Sequence, residues 1–396
     1  MRIERNIMKF TMYSVFTKAL FMDAIITLYL FAHGLNVTQI MFLETFSALT
    51  ITFFEVPGGA VADKFGRKYS LFFGAFLQAI AVIFLIIGQN YLFFVAGIVI
   101  FSIGATFISG ADNAYLYDFL NENNMRDKFQ QIDGSIRSWI LYSMAIIYLT
   151  AGFIYTKSIY YPLYLTFIFL IFASLLALSL TNINIDTKKP EGKLSYSQII
   201  KESGKFIFKN TDILFLFLFS SVVLSFIYLA RGIEQTYLYF NKVPPQYFGV
   251  LVCIFNLITG FFSRKSRRVT DLFKNEGQLY ISIALFLFLI LMSQIKSLYF
   301  GLPLLLAFHA IRGISSPYIF RRLNEYIISE IRATILSFHN LLMGLFIAAF
   351  APLLGFLTDR WGIYFTYLVM SLSFLCLIAV ISLLKAKKLK ETDIKI

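Results

Sequence analysis

Charge and cysteine are what this chain has least of. Of its 396 residues only 14% are Asp, Glu, Lys or Arg, against about 25% in a typical soluble domain. With 58% hydrophobic residues and a mean hydropathy of +0.74, that scarcity excludes an ordinary soluble fold. It leaves an all-α protein that crosses a membrane many times. The two cysteines, Cys253 and Cys376, both lie inside apolar runs, so neither a disulfide framework nor a thiolate metal site is expected. The three histidines are scattered and offer no metal-ligand spacing. There is no glycine-rich phosphate loop, no Ser-His-Asp set in a suitable context and no polar stretch long enough for a catalytic domain. The expectation is a protein that is not an enzyme and uses no metal or organic cofactor.

What is present is a series of long apolar runs. They fall at about 10–33, 37–62, 68–88, 91–120, 135–156, 159–181, 211–237, 245–263, 277–295, 298–320, 333–357 and 363–385. Crossing the hydrocarbon of a bilayer takes about 20 residues of helix, so these predict 12 transmembrane helices. The connection 182–210 is the longest and most polar. It divides the chain into an N-terminal six-helix bundle (1–181), a cytoplasmic central loop (182–210) and a C-terminal six-helix bundle (211–396). Within that loop, Ser195–Phe208 is predicted as an amphipathic helix lying on the membrane surface. Met1–Lys9 is a short basic lead into the first span, expected to remain as a signal anchor. Asn36-Val37-Thr38 matches a glycosylation sequon, a match too short to carry weight.

The basic residues set the orientation. Of 35 Lys and Arg, 28 fall in segments on the side of the N-terminus and only 4 on the other side: Lys157, Lys242, Lys296 and Arg360. Positive charge is retained on the cytoplasmic side. Both termini are therefore expected in the cytoplasm, with the protein in the cell membrane. The net charge of +13 is then a topology signal and a contact for lipid headgroups, with no nucleic-acid partner implied.

Ionisable groups inside hydrocarbon are costly and need a reason to be there. Asp23 lies near the middle of span 1, Glu44 in the outer part of span 2 and Glu55 just before Pro57. The bland reading is that such acids satisfy neighbouring helices. For Asp23 the depth favours a polar cavity, where a carboxylate can load and release a proton; Glu44 stands second. Lys18, five residues from Asp23, points to another helix face. Arg231 and Glu234, three residues apart on span 7, are expected to form a structural ion pair. His309 and Arg312 share a face of span 10 near mid-membrane. His309 can titrate and Arg312 can hold either a substrate carboxylate or a protein one. His339 is expected to be structural. Among the aromatics, Tyr115, Tyr228 and Phe255 are examples of residues that can line a cavity for an apolar or planar solute.

One stretch organises the rest: Gly58-Gly59-Ala60-Val61-Ala62-Asp63-Lys64-Phe65-Gly66-Arg67-Lys68, a charged hairpin between spans 2 and 3. Gly59 and Gly66 suit close packing and a tight turn. Asp118, at the end of span 4, is level with Arg67, and the two are expected to pair. Spans 2, 5, 8 and 11 end alike, at Gly59-x-x-x-Asp63-Lys64, Gly152-x-x-x-Thr156-Lys157, Gly260-x-x-x-Arg264-Lys265 and Gly355-x-x-x-Asp359-Arg360. That is the trace of a three-helix unit repeated four times in alternating orientation.

The pattern Gly59-x-x-x-Asp63-Lys64-x-Gly66-Arg67-Lys68 resembles the loop between helices 2 and 3 of the major facilitator superfamily of transporters. The resemblance covers essentially the whole chain. It implies two pseudo-symmetric six-helix bundles and alternating access. It also implies a gating role for Gly59, Asp63, Gly66, Arg67, Lys68 and Asp118, with Asp63 facing the start of span 11 at Arg332–Ser337. Two features typical of drug–proton antiporters are absent: Leu92–Phe107 contains no base and Gly134–Gly152 no Gly-Pro pair. Proton coupling therefore rests on Asp23 and Glu44. The expected function is proton-coupled efflux of a small amphipathic compound by a monomer. The alternatives are uptake of an organic anion held by Arg312, or a membrane receptor that moves nothing.

Overall fold

The computed structural model describes residues 2–183, 211–272, 276–326 and 332–393. The predicted surface helix Ser195–Phe208 lies outside the described residues, as do the side chains of Asp63 and Arg332. Fifteen α-helices are present among them, and no strand.

The N-terminal elements are α1 (Arg2–Lys18), a 3₁₀ turn (Phe21–Ala24), α2 (Ile26–Ala32), α3 (Val37–Phe65), α4 (Arg67–Ile87), α5 (Tyr91–Ser109), α6 (Asp112–Glu122), α7 (Phe129–Lys157) and α8 (Tyr161–Leu178). The remainder are α9 (Thr211–Gly232), α10 (Glu234–Phe240), α11 (Pro245–Leu272), α12 (Gly277–Gln294), α13 (Leu298–Tyr326), α14 (Arg332–Trp361) and α15 (Ile363–Asp393). Among the described residues eleven helices are long and apolar enough to cross a membrane. They become 12 when the bent pair Ile3–Ala24 and Ile26–Ala32, which meet at 46°, counts as one span. The predicted runs thus all reappear as helix, and the chain is a multi-pass membrane protein.

By packing, the chain forms two compact units: Met1–Lys188 with Leu238–Cys253, and Lys189–Tyr237 with Ile254–Ile396. In the first, α4 packs on α3, α5 and α8, and α1 packs on α7 and α8. Hydrocarbon cannot supply hydrogen bonds, and tyrosines here bridge helices by donating to backbone carbonyls. Tyr13 bonds Leu71 O (3.2 Å), Tyr29 bonds Leu85 O (2.7 Å) and Tyr155 bonds Leu28 O (3.2 Å). In the second unit, α9 packs on α13, α14 and α15, and α12 packs on α13 and α15.

Local signals explain the turns. Asn36 begins α3 with a capping box: its Oδ1 accepts from Gln39 N (2.8 Å), and Asn36 N donates to Gln39 Oε1 (3.0 Å). At the other end of α3 a single residue, Gly66, turns the chain into α4 at φ +93° and ψ 141°. Only glycine enters that region without strain.

Candidate functional site

Span 1 is broken where its acid sits. The helical ladder lapses after Lys18, and Phe21–Ala24 forms a 3₁₀ turn carrying Asp23 before α2 resumes. No Gly or Pro causes the break; side chains of other helices sustain it. Thr166 Oγ1 of α8 accepts from Met22 N at 3.1 Å. Tyr148 of α7 donates a long hydrogen bond, 3.4 Å, to Asp23 Oδ2. Asp23 is half-buried. The turn thus sets a half-buried carboxylate where the backbone takes a partner from another helix in place of its own i→i−4 bond.

Lys18 turns away from Asp23 and faces Asp112 of α6 at 3.7 Å. Glu44 and Glu55 are half-buried on α3. One turn beyond Glu44, Ser47 shares a 2.9 Å hydrogen bond with Ser102 of α5.

α7 also meets the start of α11 very closely. A Cβ on Gly249 would overlap the Tyr148 carbonyl oxygen, and one on Gly152 would lie 2.6 Å from the carbonyl oxygens of Pro245 and Gln246. This crossing holds the backbone from which Tyr148 reaches Asp23. A pocket of about 580 Å³ opens in the same unit, walled by Leu28, Phe31, Tyr155, Tyr239 and Phe240, with Lys242 as its cation. Phe31 and Tyr239 stack there at 4.2 Å.

At the far end of α3 the expected pair is present: Arg67 Nε lies 2.8 Å from Asp118 Oδ2. The Nε hydrogen is not aimed at that oxygen, so the contact is an ion pair rather than an aligned hydrogen bond. The two side chains are 18% and 27% exposed. Lys68 and Tyr115 share a cavity of about 130 Å³ with Arg67. The expectation for Gly59 needs correction. A Cβ there would meet nothing within 4 Å; the tight positions are Gly110, where a Cβ would lie 3.2 Å from Gly59 Cα, and Gly58, where one would lie 3.0 Å from Thr106 O. Of the repeated glycines, Gly152 is tightly packed and Gly260 faces open space.

The second unit holds its ionisable groups differently from the expectation. Glu234 pairs with His309, not with Arg231: Nε2 to Oε2 is 2.7 Å, with the side chains 2% and 5% exposed. Among the described residues no ion pair joins Arg231 to Glu234. The helix lapses for one residue, Ile233, between the two, although Ile233 N still bonds Leu229 O and Tyr237 N bonds Ile233 O. Thr259 of α11 contacts His309 Nδ1 at 3.1 Å, and Phe255 stacks flat on the imidazole at 4.5 Å. Arg312 lies one turn further along α13. Its Nη1 is buried and has no hydrogen-bond partner among the described residues. Glu234 is the residue that sequence reasoning assigned to the wrong partner; its only signal was an acid in an apolar run. His339 is buried and bonds Ser220 Oγ at 2.9 Å, a structural role. Phe255 and Tyr115 are core residues, 1% exposed. Tyr115 donates to Thr181 O at 3.0 Å.

The sequence matches the description Major Facilitator Superfamily over residues 10–389. The chain belongs to this superfamily. Similar solved structures include the nucleoside transporter NupG (16% identity, 97% of this chain and 99% of that one, TM-score 0.78). A D-xylose-proton symporter (16%, 95% and 96%, 0.68) and the POT family transporter PepTSo (12%, 98% and 98%, 0.69) are also similar. At these identities the likeness shows the fold. The sequence matches no curated protein. The superfamily member is a transporter and not an enzyme, with a small molecule as its substrate and the membrane as its setting.

Proposed function

We propose that this protein is a proton-coupled secondary transporter that exports a small amphipathic compound from the cell by alternating access. The observation that carries the reading is Asp23, an acid at a broken turn inside a membrane span, touched by Tyr148. Protonation there removes a charge from the hydrocarbon and changes which state of the protein is favoured. Protons are thus the coupling ion and no cofactor is needed; Glu44, two helical elements on, is the second candidate. The protein acts in the cell membrane as a monomer with both termini in the cytoplasm, the orientation that the lysine and arginine distribution favours. On that orientation the Arg67–Asp118 pair, with Gly59, Asp63, Gly66 and Lys68, forms an inner gate. The aromatic pocket beneath Lys242 lies on the outer side, and its volume is within the range of small-molecule sites.

The test is transport in proteoliposomes under an imposed pH gradient, with cargo chosen by comparing compound sensitivity of cells with and without the gene. Asp23→Asn is expected to lose gradient-driven flux while still exchanging cargo down its own gradient. Full proton-driven transport by that variant refutes the coupling role. A second reading, uptake of an organic anion, is supported by the buried, unpartnered Nη1 of Arg312. It predicts accumulation rather than resistance, and loss of anion uptake in Arg312→Gln.

A further inference from the structure

We infer that Glu234, His309 and Thr259 form a second proton-binding site, separate from Asp23 and independent of the role given to it. The first observation is burial. A carboxyl and an imidazole that are 5% and 2% exposed and 2.7 Å apart, inside segments that cross the membrane, are withdrawn from bulk water and directly bonded to one another.

The second observation is that both protonation states of the imidazole find complete partners. When His309 carries one proton, on Nε2, that proton is donated to Glu234 and Nδ1 accepts from the Thr259 hydroxyl at 3.1 Å. When a second proton arrives at Nδ1, that nitrogen donates to Thr259 Oγ1. The hydroxyl then rotates to donate to the Phe255 carbonyl, already 2.9 Å away. A threonine hydroxyl is both donor and acceptor, so one rotation satisfies either state. Buried groups that merely lock helices together need only one satisfied state.

The third observation is position. Span 1 and span 7 are the first helices of their six-helix sets, and each carries an acid beside a lapse in the helix: span 1 at the bent turn holding Asp23, span 7 at the single residue Ile233 next to Glu234, as span 4 lapses before Asp112. Counted back from the start of the following helix, at Val37 and Pro245, the two acids differ in place by one helical turn. The internal repeat therefore carries an acid beside a helix lapse in both halves.

The charged and titratable groups around the pair are Arg231, Arg312 of α13, Tyr237 of α10 and Tyr367 of α15. α12 presents Phe288, stacked on Phe308. Arg312 balances the Glu234 charge when His309 is neutral. With Arg231 and Arg312 against Glu234, the group carries +1 when His309 is neutral and +2 with a bound proton.

The experiment needs no cargo. Infrared difference spectra of the full-length protein in lipid, recorded between acid and neutral pH, report carboxyl protonation, and isotope-labelled histidine reports the imidazoles. The chain has only three histidines, so His33→Gln and His339→Gln assign the His309 signal. The expected result is a His309 titration that survives Asp23→Asn and is displaced or lost in Glu234→Gln. Thr259→Val is expected to shift the same titration toward lower pH, because the imidazolium loses its acceptor at Nδ1. A His309 signal invariant across the pH range in which histidine titrates overturns the inference, and so does a titration unchanged by Glu234→Gln. Should Glu234→Gln fail to fold, the wild-type histidine spectrum and Thr259→Val decide the matter alone. Loss of the Asp23 coupling role leaves these outcomes untouched.

Discussion

Replacing Arg67 and Asp118, singly and together, tests how strongly the Gly66 hairpin is tied to the end of span 4. At 2.8 Å and an effective dielectric of about 20, the gross attraction is about 6 kcal/mol. Most of it is returned in desolvating two side chains that are four-fifths and three-quarters buried. The misaligned Nε hydrogen removes the benefit of a directed bond. Exposed pairs couple by up to about 1 kcal/mol, and breaking a fully buried one costs about 3–5 kcal/mol; this pair belongs between, with a coupling of about 1–2 kcal/mol. The assay is unfolding of the purified protein in detergent for wild type, Arg67→Ala, Asp118→Ala and the double variant. Each single variant strands one partly buried charge, so the double variant is expected to lose less than the two single losses added. Additivity within about 0.5 kcal/mol refutes the pairing as an energetic link. A transport consequence follows from the proposed gate, which makes this contact in only one of two states. A shift of about 1.4 kcal/mol changes a population ratio about tenfold, so each single variant should move the balance between inward- and outward-facing states by that order. Accessibility labelling from the two sides of the membrane reads that balance.

Three further outcomes are expected. Gly66→Ala forces a Cβ into backbone that only glycine enters freely, with a cost of about 1–3 kcal/mol; its melting temperature relative to wild type checks this. Gly249→Val drives a branched side chain into the Tyr148 backbone and should both lower stability, by about 1–3 kcal/mol or more, and disturb proton-driven flux through Tyr148. Equal flux per folded molecule contradicts the second part. Tyr148→Phe removes one hydrogen bond to Asp23, worth about 1–3 kcal/mol for a charged acceptor. It should shift the pH dependence of transport to higher pH, since the ionised carboxylate loses a donor and the proton is held more tightly. An unchanged pH profile shows that the 3.4 Å contact contributes nothing.

Most of the fold was legible because its signals are local. Eleven apolar runs became membrane-length helices and the twelfth a bent pair, Asn36 and Gln39 capped α3, and the glycine at 66 made the turn. The Arg67–Asp118 contact was also legible, because charges at the same end of adjacent spans have few other places to go. What sequence could not reveal depends on partners far along the chain. The break at Phe21–Ala24 has no helix breaker in it; its cause is a hydroxyl 144 residues away, Thr166 on Met22 N. Glu234 has a base three residues behind it, yet its carboxyl pairs with His309, 75 residues on.

Only the first of these departures has a side chain of another helix on its backbone; at Ile233 the backbone keeps its bonds to Leu229 O and from Tyr237 N. A hydrocarbon-crossing helix satisfies its own backbone everywhere except where another helix offers a substitute partner. Such a substitution is tolerated only where it does something that a continuous helix cannot. In this chain the lapses of span 1 and span 7 both fall beside an acid, and each acid touches a side chain able to donate a proton, Tyr148 in one unit and His309 in the other. Span 4 also lapses, between Ser109 and Asp112, so a break beside an acid is not confined to the first helix of each half; what sets span 1 apart is its 46° bend. Under the proposed coupling, the transport cycle should respond to protons at Asp23, and the Glu234–His309 pair is where a second response should be found.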